Sequence, residues 1–168
     1  MIEVKNVTKK YGDFVAVEDI SFKVEESSIY GLVGYNGAGK TTLLKTAAGI
    51  LKPEGGEVLF DGENVYDNGR VRSSLLYVPD EVYFVKGASL EKMGKIYKGY
   101  FPNFSDKVFK NMTDAMGLDS KKNIGSFSKG MQRQAEAVLA MSTMPKYMLL
   151  DEVFDGIDPQ KSLQENFY

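Results

Sequence analysis

The 168-residue sequence contains no cysteine and no histidine. The lack of cysteine excludes disulfides, thiol nucleophiles and cysteine-ligated zinc in this chain, and it fits a reducing compartment. The lack of histidine excludes a Ser-His-Asp triad, a histidine general base and a histidine metal ligand. We therefore expect the chemistry to rest on carboxylates, lysines, hydroxyls and a hard cation.

Long apolar runs and basic tracts are missing as well. No stretch approaches the roughly 20 apolar residues that span a bilayer, and the start, MIEVKNVTKK, lacks the apolar stretch of a signal peptide. With 43% hydrophobic and 26% charged residues, the composition is typical of one soluble globular domain. The formal net charge of -2 offers no broad basic face, so we expect a cytoplasmic protein that binds no nucleic acid.

The order of strand-like and helix-like segments predicts an α/β fold. Two alternating segments, MIEVKNVTKKY and FVAVEDISFKVEE, flank a turn at Gly12 and Asp13 and predict an N-terminal antiparallel β subdomain. The run SIYGLVG predicts a strand that leads through a glycine loop into a helix. Residues between about 86 and 143 show apolar positions at helical intervals and predict an inserted helical subdomain, in which Ser128 is a candidate N-cap.

The glycine loop carries the strongest motif. GYNGAGKT, residues 34–41, matches GxxxxGK followed by Ser or Thr, between a predicted strand and a predicted helix. Gly34, Gly37 and Gly39 permit positive φ and close approach of backbone N–H groups to phosphate. Lys40 would bridge the β- and γ-phosphates, and Thr41 would offer its hydroxyl to magnesium. We therefore predict a P-loop NTPase core with a mostly parallel sheet.

Two acidic residues follow the last apolar strand, YMLL. Asp151 lies at the carboxyl end of that strand, where ligands bind in open α/β sheets, and is predicted to hold magnesium. Glu152 is predicted to orient or deprotonate the water that attacks the γ-phosphate. Together with Lys40, Glu152 is our predicted catalytic residue.

Three motifs in this order, GYNGAGKTT, SFSKGMQRQ and YMLLDEVFDGIDP, resemble the nucleotide-binding domain of ABC transporters. The resemblance runs from Met1 to about Pro159 and implies one ABC-type ATP-binding domain over residues 1–168. It implies ATP and Mg²⁺ as cofactors, with Tyr11 stacked on adenine. Ser128 and Gly130 are expected to contact the γ-phosphate held by an opposite subunit. The nucleotide-binding loop is expected to comprise Gly34, Tyr35, Asn36, Gly37, Ala38, Gly39, Lys40, Thr41 and Thr42.

Some positions depart from the family pattern. Lys129 and Met131 replace the usual Gly and Gln of the signature motif, and Asp80 stands where the family has a Gln that senses magnesium. Asp80 is therefore predicted as a metal residue beside Thr41 and Asp151. Asp158 matches the acidic position of the loop that touches the partner subunit. The apolar run at residues 82–85 is either core or part of a patch that docks onto a membrane partner.

The resemblance also implies a later strand with a histidine, which this sequence does not contain. We expect the chain to lack the C-terminal portion of the family's domain, either as the front part of a longer protein or as a natural remnant with altered function.

The function implied is an ATP-hydrolysing subunit that forms a homodimer, or pairs with another ATP-binding subunit, and drives a separate transmembrane permease from the inner face of the membrane. A soluble ABC-type ATPase acting on ribosomes or nucleic acid, and an ATP-binding remnant without turnover, are the alternatives.

Overall fold

A computed structural model describes residues 1–151 of the chain. The described residues divide into two compact units, one formed by Met1–Tyr77 with Lys146–Asp151 and the other by Val78–Pro145. The sequence range predicted for a helical subdomain, about 86–143, falls inside the second unit. The description of residues 1–168 as a single domain stays a prediction. Among the described helices, none is long and apolar enough to cross a membrane.

The first unit begins with a four-stranded sheet in the order β2-β1-β3-β4. Its strands are β1 (Ile2–Tyr11), β2 (Phe14–Val24), β3 (Gly55–Phe60) and β4 (Glu63–Asn64). All three neighbouring pairs are antiparallel, and β1 and β2 form a hairpin that closes at the Tyr11↔Phe14 pair. Gly12 adopts φ +59 in the connecting turn, a left-handed conformation that glycine takes without steric cost. The predicted N-terminal antiparallel subdomain is confirmed.

Behind this sheet the first unit holds two helices and a second sheet. The helices are α1 (Lys40–Ala47) and α2 (Gly69–Ser73), and the strands β5 (Leu75–Val78) and β6 (Tyr147–Leu150) pair with each other. The core takes apolar side chains from every layer, among them Val4, Val7, Leu43, Val58, Phe60, Val71, Leu75 and Leu149. Burial of these side chains is what holds α1 against both sheets, since the hydrophobic effect scales with the apolar area removed from water.

The predicted strand SIYGLVG is wrong for the described structure. Residues 28–34 form neither helix nor strand, and the side chains of Ile29 and Val33 are fully exposed. A strand needs a neighbour that takes up its backbone hydrogen bonds, and no strand within residues 1–151 pairs with this segment. The second sheet has two strands in the described range, so the mostly parallel core sheet stays a prediction.

The second unit is built from helices. These are α3 (Leu90–Tyr100), α4 (Asp106–Ala115) and α5 (Lys129–Ser142), with a short 3-10 helix at Ile124–Ser126 before α5. The side chains of Ser89, Ser105 and Ser128 accept hydrogen bonds from backbone N–H groups in the first turns of α3, α4 and α5. The predicted N-cap at Ser128 is therefore confirmed. A separate core packs inside this unit, with Leu90, Met93, Ile124, Val138 and Leu139 at its centre.

Candidate functional site

The glycine loop of residues 34–39 turns sharply into α1. Gly37 and Gly39 adopt φ +84 and +86, as the sequence predicts, whereas the expected positive φ of Gly34 is not found. A Cβ atom at Gly39 would lie 2.4 Å from the carbonyl oxygen of Ala16 on β2, so only glycine fits there. The Ala38 N–H donates to the Tyr35 carbonyl at 3.0 Å and closes the loop. The backbone is thus bent as a phosphate-binding loop requires.

The start of α1 is open to an anion. Gly39 is the N-cap residue, so no side chain caps the first turn, and that turn contains no acidic residue. The first N–H groups of a helix have no intrahelical partner and lie at the positive end of the helix dipole. Lys40 Nζ donates to the carbonyl oxygens of Gly34 at 2.9 Å and Tyr35 at 3.3 Å, which holds its charge over the loop. Backbone donors and an ammonium group together suit phosphate.

A second part of the site joins α1 to β6. Thr41 Oγ1 donates to Asp151 Oδ1 at 2.9 Å, and Tyr77 Oη donates to Asp151 Oδ2 at 2.8 Å. Asp151 is 1% exposed, at the carboxyl end of β6. Because the Thr41 hydroxyl donates its proton to Asp151, the lone pairs of its oxygen remain available to a cation.

These groups fit magnesium, which takes oxygen ligands and is usually held by one or two protein side chains plus phosphate and water. Residues 1–151 contain no cluster of three or more acidic side chains that could hold a metal alone. Thr41 and Asp151 are brought together as the sequence predicts, and their role as metal ligands stays a prediction.

An ionic cluster fixes the start of β6. Asp61, after β3, accepts hydrogen bonds from Lys146 Nζ at 2.7 Å, Tyr147 Oη at 2.6 Å and the Met1 amino group at 2.8 Å. Lys146, then the amino group and Tyr147, hold the pKa of Asp61 well below its usual range. Burial, together with the neighbouring Asp61 carboxylate, raises the pKa of Tyr147 to about 12. The cluster joins the start of β6 to Asp61, the residue that follows β3.

The predicted adenine contact lies at the end of β1. The Tyr11 ring is 50% exposed, and Lys9 Nζ lies 5.6 Å from its centroid. Phe14, which pairs with Tyr11 across the hairpin, is also exposed. An exposed aromatic face can stack on a nucleobase. The role of Tyr11 stays a prediction.

The signature segment lies in the second unit. Ser128 Oγ accepts from the Met131 N–H at 3.2 Å, and Ser128, Lys129 and Gly130 are all exposed. A hydroxyl that accepts one bond still has a proton to donate, so this helix start retains a donor for an anion. The expected contact of Ser128 and Gly130 with the phosphate of an opposite subunit is a prediction.

Asp80 is held by a residue that is not among the predicted site residues. Arg133 on α5 donates to the Asp80 backbone carbonyl, lies 3.4 Å from Asp80 Oδ1, and donates to Glu136 Oε2 at 3.0 Å. Burial raises the pKa of the Glu136 carboxyl against the opposing effect of Arg133. Arg and Glu three residues apart on a predicted helix were the available signal. Asp80 as a metal residue stays a prediction.

Two predicted residues, Glu152 and Asp158, lie outside the described residues. Tyr77 is a further functional candidate that the motifs did not reveal. Its signal in the sequence is a single polar group in the otherwise apolar strand LLYV.

A tight glycine loop, an uncapped helix start and a Thr-Asp pair beside them define a P-loop nucleotide-binding protein. The chain belongs to the ABC transporter family, whose sequence profile matches residues 17–155, and it is an ATP-binding domain of that family.

Two curated relatives illustrate the match. The ABC transporter ATP-binding protein YtrB of Bacillus subtilis (strain 168) is 29% identical over 158 residues, covering 94% of this chain and 54% of the relative. The bacitracin transport ATP-binding protein BcrA of Bacillus licheniformis is 32% identical over 168 residues, covering 95% of this chain and 53% of the relative. The chain thus spans about half the length of these curated relatives.

The fold also matches solved structures. The ATP-binding subunit of an ABC transporter superposes with a TM-score of 0.83 at 26% sequence identity, covering 95% of this chain and 69% of the solved one. The ABC ATPase fold is thereby shown for the chain.

Proposed function

We propose that the chain binds ATP with Mg²⁺ at its glycine loop and hydrolyses it to drive transport through a separate membrane subunit. The observation that carries this proposal is the 2.9 Å hydrogen bond from Thr41 to Asp151, which joins the start of α1 to the end of β6 beside the loop. Phosphate donors and metal ligands are then adjacent within one unit. Transfer of a phosphoryl group needs such positioning and charge stabilisation more than covalent chemistry.

Each residue of the site has a distinct part in binding. The loop N–H groups and Lys40 would hold the β- and γ-phosphates, because both are donors of positive character that suit anionic oxygens. Thr41 and Asp151 would hold magnesium, which neutralises charge on the phosphate oxygens when bound. Tyr11 would stack on adenine. Tyr35, Asn36, Ala38 and Thr42 would line the phosphates through their backbone.

Hydrolysis would depend on Glu152, which directly follows the metal-binding Asp151 in sequence. A carboxylate at that position can orient a water in line with the γ-phosphate. This assignment rests on the sequence motif and on the geometry of its neighbour Asp151.

Two copies, or one copy and a paired ATP-binding subunit, would close around the nucleotides. Ser128 and Gly130 of one subunit would meet the γ-phosphate on the glycine loop of the other, which their exposure allows. Asp158 would contact the partner in the same interface. Closure would be transmitted to a permease at the inner face of the membrane.

The apolar run after β5, residues 82–85, is divided between the core and the docking roles. Tyr83 and Val85 are exposed, whereas Phe84 packs against the core of the second unit.

The name of the relative BcrA refers to transport, which favours a transporter over a soluble ATPase.

The test is ATP turnover by Glu152→Gln in the intact protein. This variant is expected to keep MgATP binding, to lose most turnover and to favour the dimer, since the amide keeps the shape and removes the charge that polarises water. Glu18→Gln, an exposed carboxylate on β2, is the matched control and should behave as the parent. Equal ATPase rates in Glu152→Gln and parent would exclude Glu152 as the water-orienting residue.

A further inference from the structure

Asp151 receives a hydrogen bond on each carboxylate oxygen from a different element. Thr41 on α1 donates to Oδ1 at 2.9 Å, and Tyr77 on β5 donates to Oδ2 at 2.8 Å. The motifs that mark the ATP site include Thr41 and Asp151 but not Tyr77. The hydroxyl of Tyr77 is therefore part of the geometry around a proposed metal ligand without an assigned role.

We propose that Tyr77 is a positioning residue that sets the plane of the Asp151 carboxylate and thereby tunes the affinity of the site for the divalent cation. This inference rests on the proposed function, since it assumes that Asp151 serves the magnesium of a bound nucleotide. The carboxylate torsion of aspartate is broad and roughly two-fold, so one hydrogen bond leaves its plane loosely defined. A second donor on the other oxygen fixes the plane and keeps Oδ1 facing Thr41.

The surroundings of Tyr77 make it a rigid donor. Its ring packs against the apolar core of the first unit, on a strand whose other three residues are buried. β5 is hydrogen-bonded to β6, the strand that directly precedes Asp151. A tyrosine held by its ring delivers the hydroxyl to one place with little further loss of side-chain freedom.

The chemistry of the donor also matters. A tyrosine hydroxyl is neutral, so it orients the carboxylate without cancelling the negative charge that attracts a cation. Lysine or arginine at the same place would pair with that charge. Groups that hydrogen-bond a metal ligand commonly change metal affinity by about 10–100-fold when they are removed.

Tyr77→Phe tests the proposal because it removes one oxygen atom and keeps the ring that packs in the core. The matched control is Tyr147→Phe on β6, the strand next to β5. It removes a hydroxyl that donates to Asp61 at 2.6 Å. Both variants lose a tyrosine-to-aspartate hydrogen bond in the same unit. Mn²⁺ binding is measured by electron paramagnetic resonance in the presence of a non-hydrolysable ATP analogue, and analogue binding is measured separately in excess chelator.

We expect about 10-fold weaker Mn²⁺ binding in Tyr77→Phe, unchanged binding in Tyr147→Phe, and unchanged analogue affinity in chelator for both. Equal Mn²⁺ affinities in parent and Tyr77→Phe would overturn the role of Tyr77, while the proposed function stands. A parent protein whose analogue binding does not respond to Mn²⁺ would instead refute the metal site itself.

A measurement on the parent protein covers the case in which Tyr77→Phe does not fold. With ¹³Cζ-labelled tyrosine, the resonance of Tyr77 is expected to shift when Mg²⁺ is added to the analogue complex, because its hydrogen bond to Asp151 changes. The resonance of Tyr147 should not move. Identical resonances of Tyr77 with and without Mg²⁺ would contradict the proposal.

Discussion

Two helix starts in this chain carry the motifs of an ATP site, and they are built in opposite ways. At α1 the N-cap is Gly39, which has no side chain and leaves the first turn without a cap. At α5 the N-cap is Ser128, whose hydroxyl already accepts a bond from its own helix. The first start has first-turn N–H groups that no side chain caps, together with Lys40, whereas the second offers one hydroxyl and an exposed surface. This difference is consistent with the proposal that the first start binds phosphate alone and that the second completes a site held by another subunit.

The largest effect is expected from Gly39→Ala. The new Cβ would lie 2.4 Å from the Ala16 carbonyl oxygen, so the loop must move and its N–H groups lose their alignment with the phosphates. We predict that MgATP affinity falls by about 100-fold or more, since losing two charge-assisted hydrogen bonds of about 1.5 kcal/mol each has that effect. Gly37→Ala is the control, because it has a similar φ but nothing within 4 Å of the added atom. Isothermal titration calorimetry measures the MgATP affinity of both variants. Equal losses of affinity would show that the strain of a positive φ, and not the contact with Ala16, weakens binding.

Lys40→Gln should have the next largest effect. It removes a charge-assisted hydrogen bond to phosphate, a contribution of about 1.5–3 kcal/mol, which corresponds to an affinity loss of about 10- to 150-fold. Lys45→Gln, in the last turn of the same helix, should change ATP affinity little. If both substitutions weaken binding equally, Lys40 contributes only general positive charge.

Ser128→Ala tests the proposed role of the start of α5. Loss of the cap should lower the free energy of unfolding by about 1 kcal/mol, as should Ser105→Ala, which removes a cap of the same 3.2 Å geometry on α4. We predict that only Ser128→Ala also impairs nucleotide-dependent dimerisation, measured by analytical ultracentrifugation. The two variants behaving alike would reduce Ser128 to a helix cap.

The smallest effect is expected from Asp61→Asn, which breaks the ionic cluster at the start of β6. This effect depends on pH. The folded state holds the pKa of Asp61 below its usual range, so its stabilising contribution is present above the ordinary value of about 3.8 and is lost as pH falls toward the lowered pKa. Thermal unfolding midpoints of parent and Asp61→Asn should therefore differ by a constant amount from pH 6 to about pH 4 and converge only as the pH falls well below 3.8. A difference that stays constant far below pH 3.8 would contradict the ionic origin of this cluster.

Short motifs and the alternation of apolar and polar residues predicted the local elements of this molecule. The features that they did not predict share one cause, which is their dependence on residues distant in sequence. The antiparallel hairpin, the Ser128 cap and the left-handed glycines at 37 and 39 depend on nearby residues, so local chemistry determines them. The strand expected at SIYGLVG depends on a neighbouring strand, which apolar composition does not supply. Tyr77 and Arg133 act through contacts 74 and 53 residues away in sequence, which no local pattern encodes.

The most direct test of the central claim follows the backbone amides of both helix starts by NMR while the Mg²⁺ complex of a non-hydrolysable ATP analogue is added. At protein concentrations that keep the chain monomeric, we expect shifted amide resonances from Gly37 to Thr41 and unchanged amide resonances from Ser128 to Met131. Unshifted resonances from Gly37 to Thr41 at saturating analogue would contradict nucleotide binding at the start of α1.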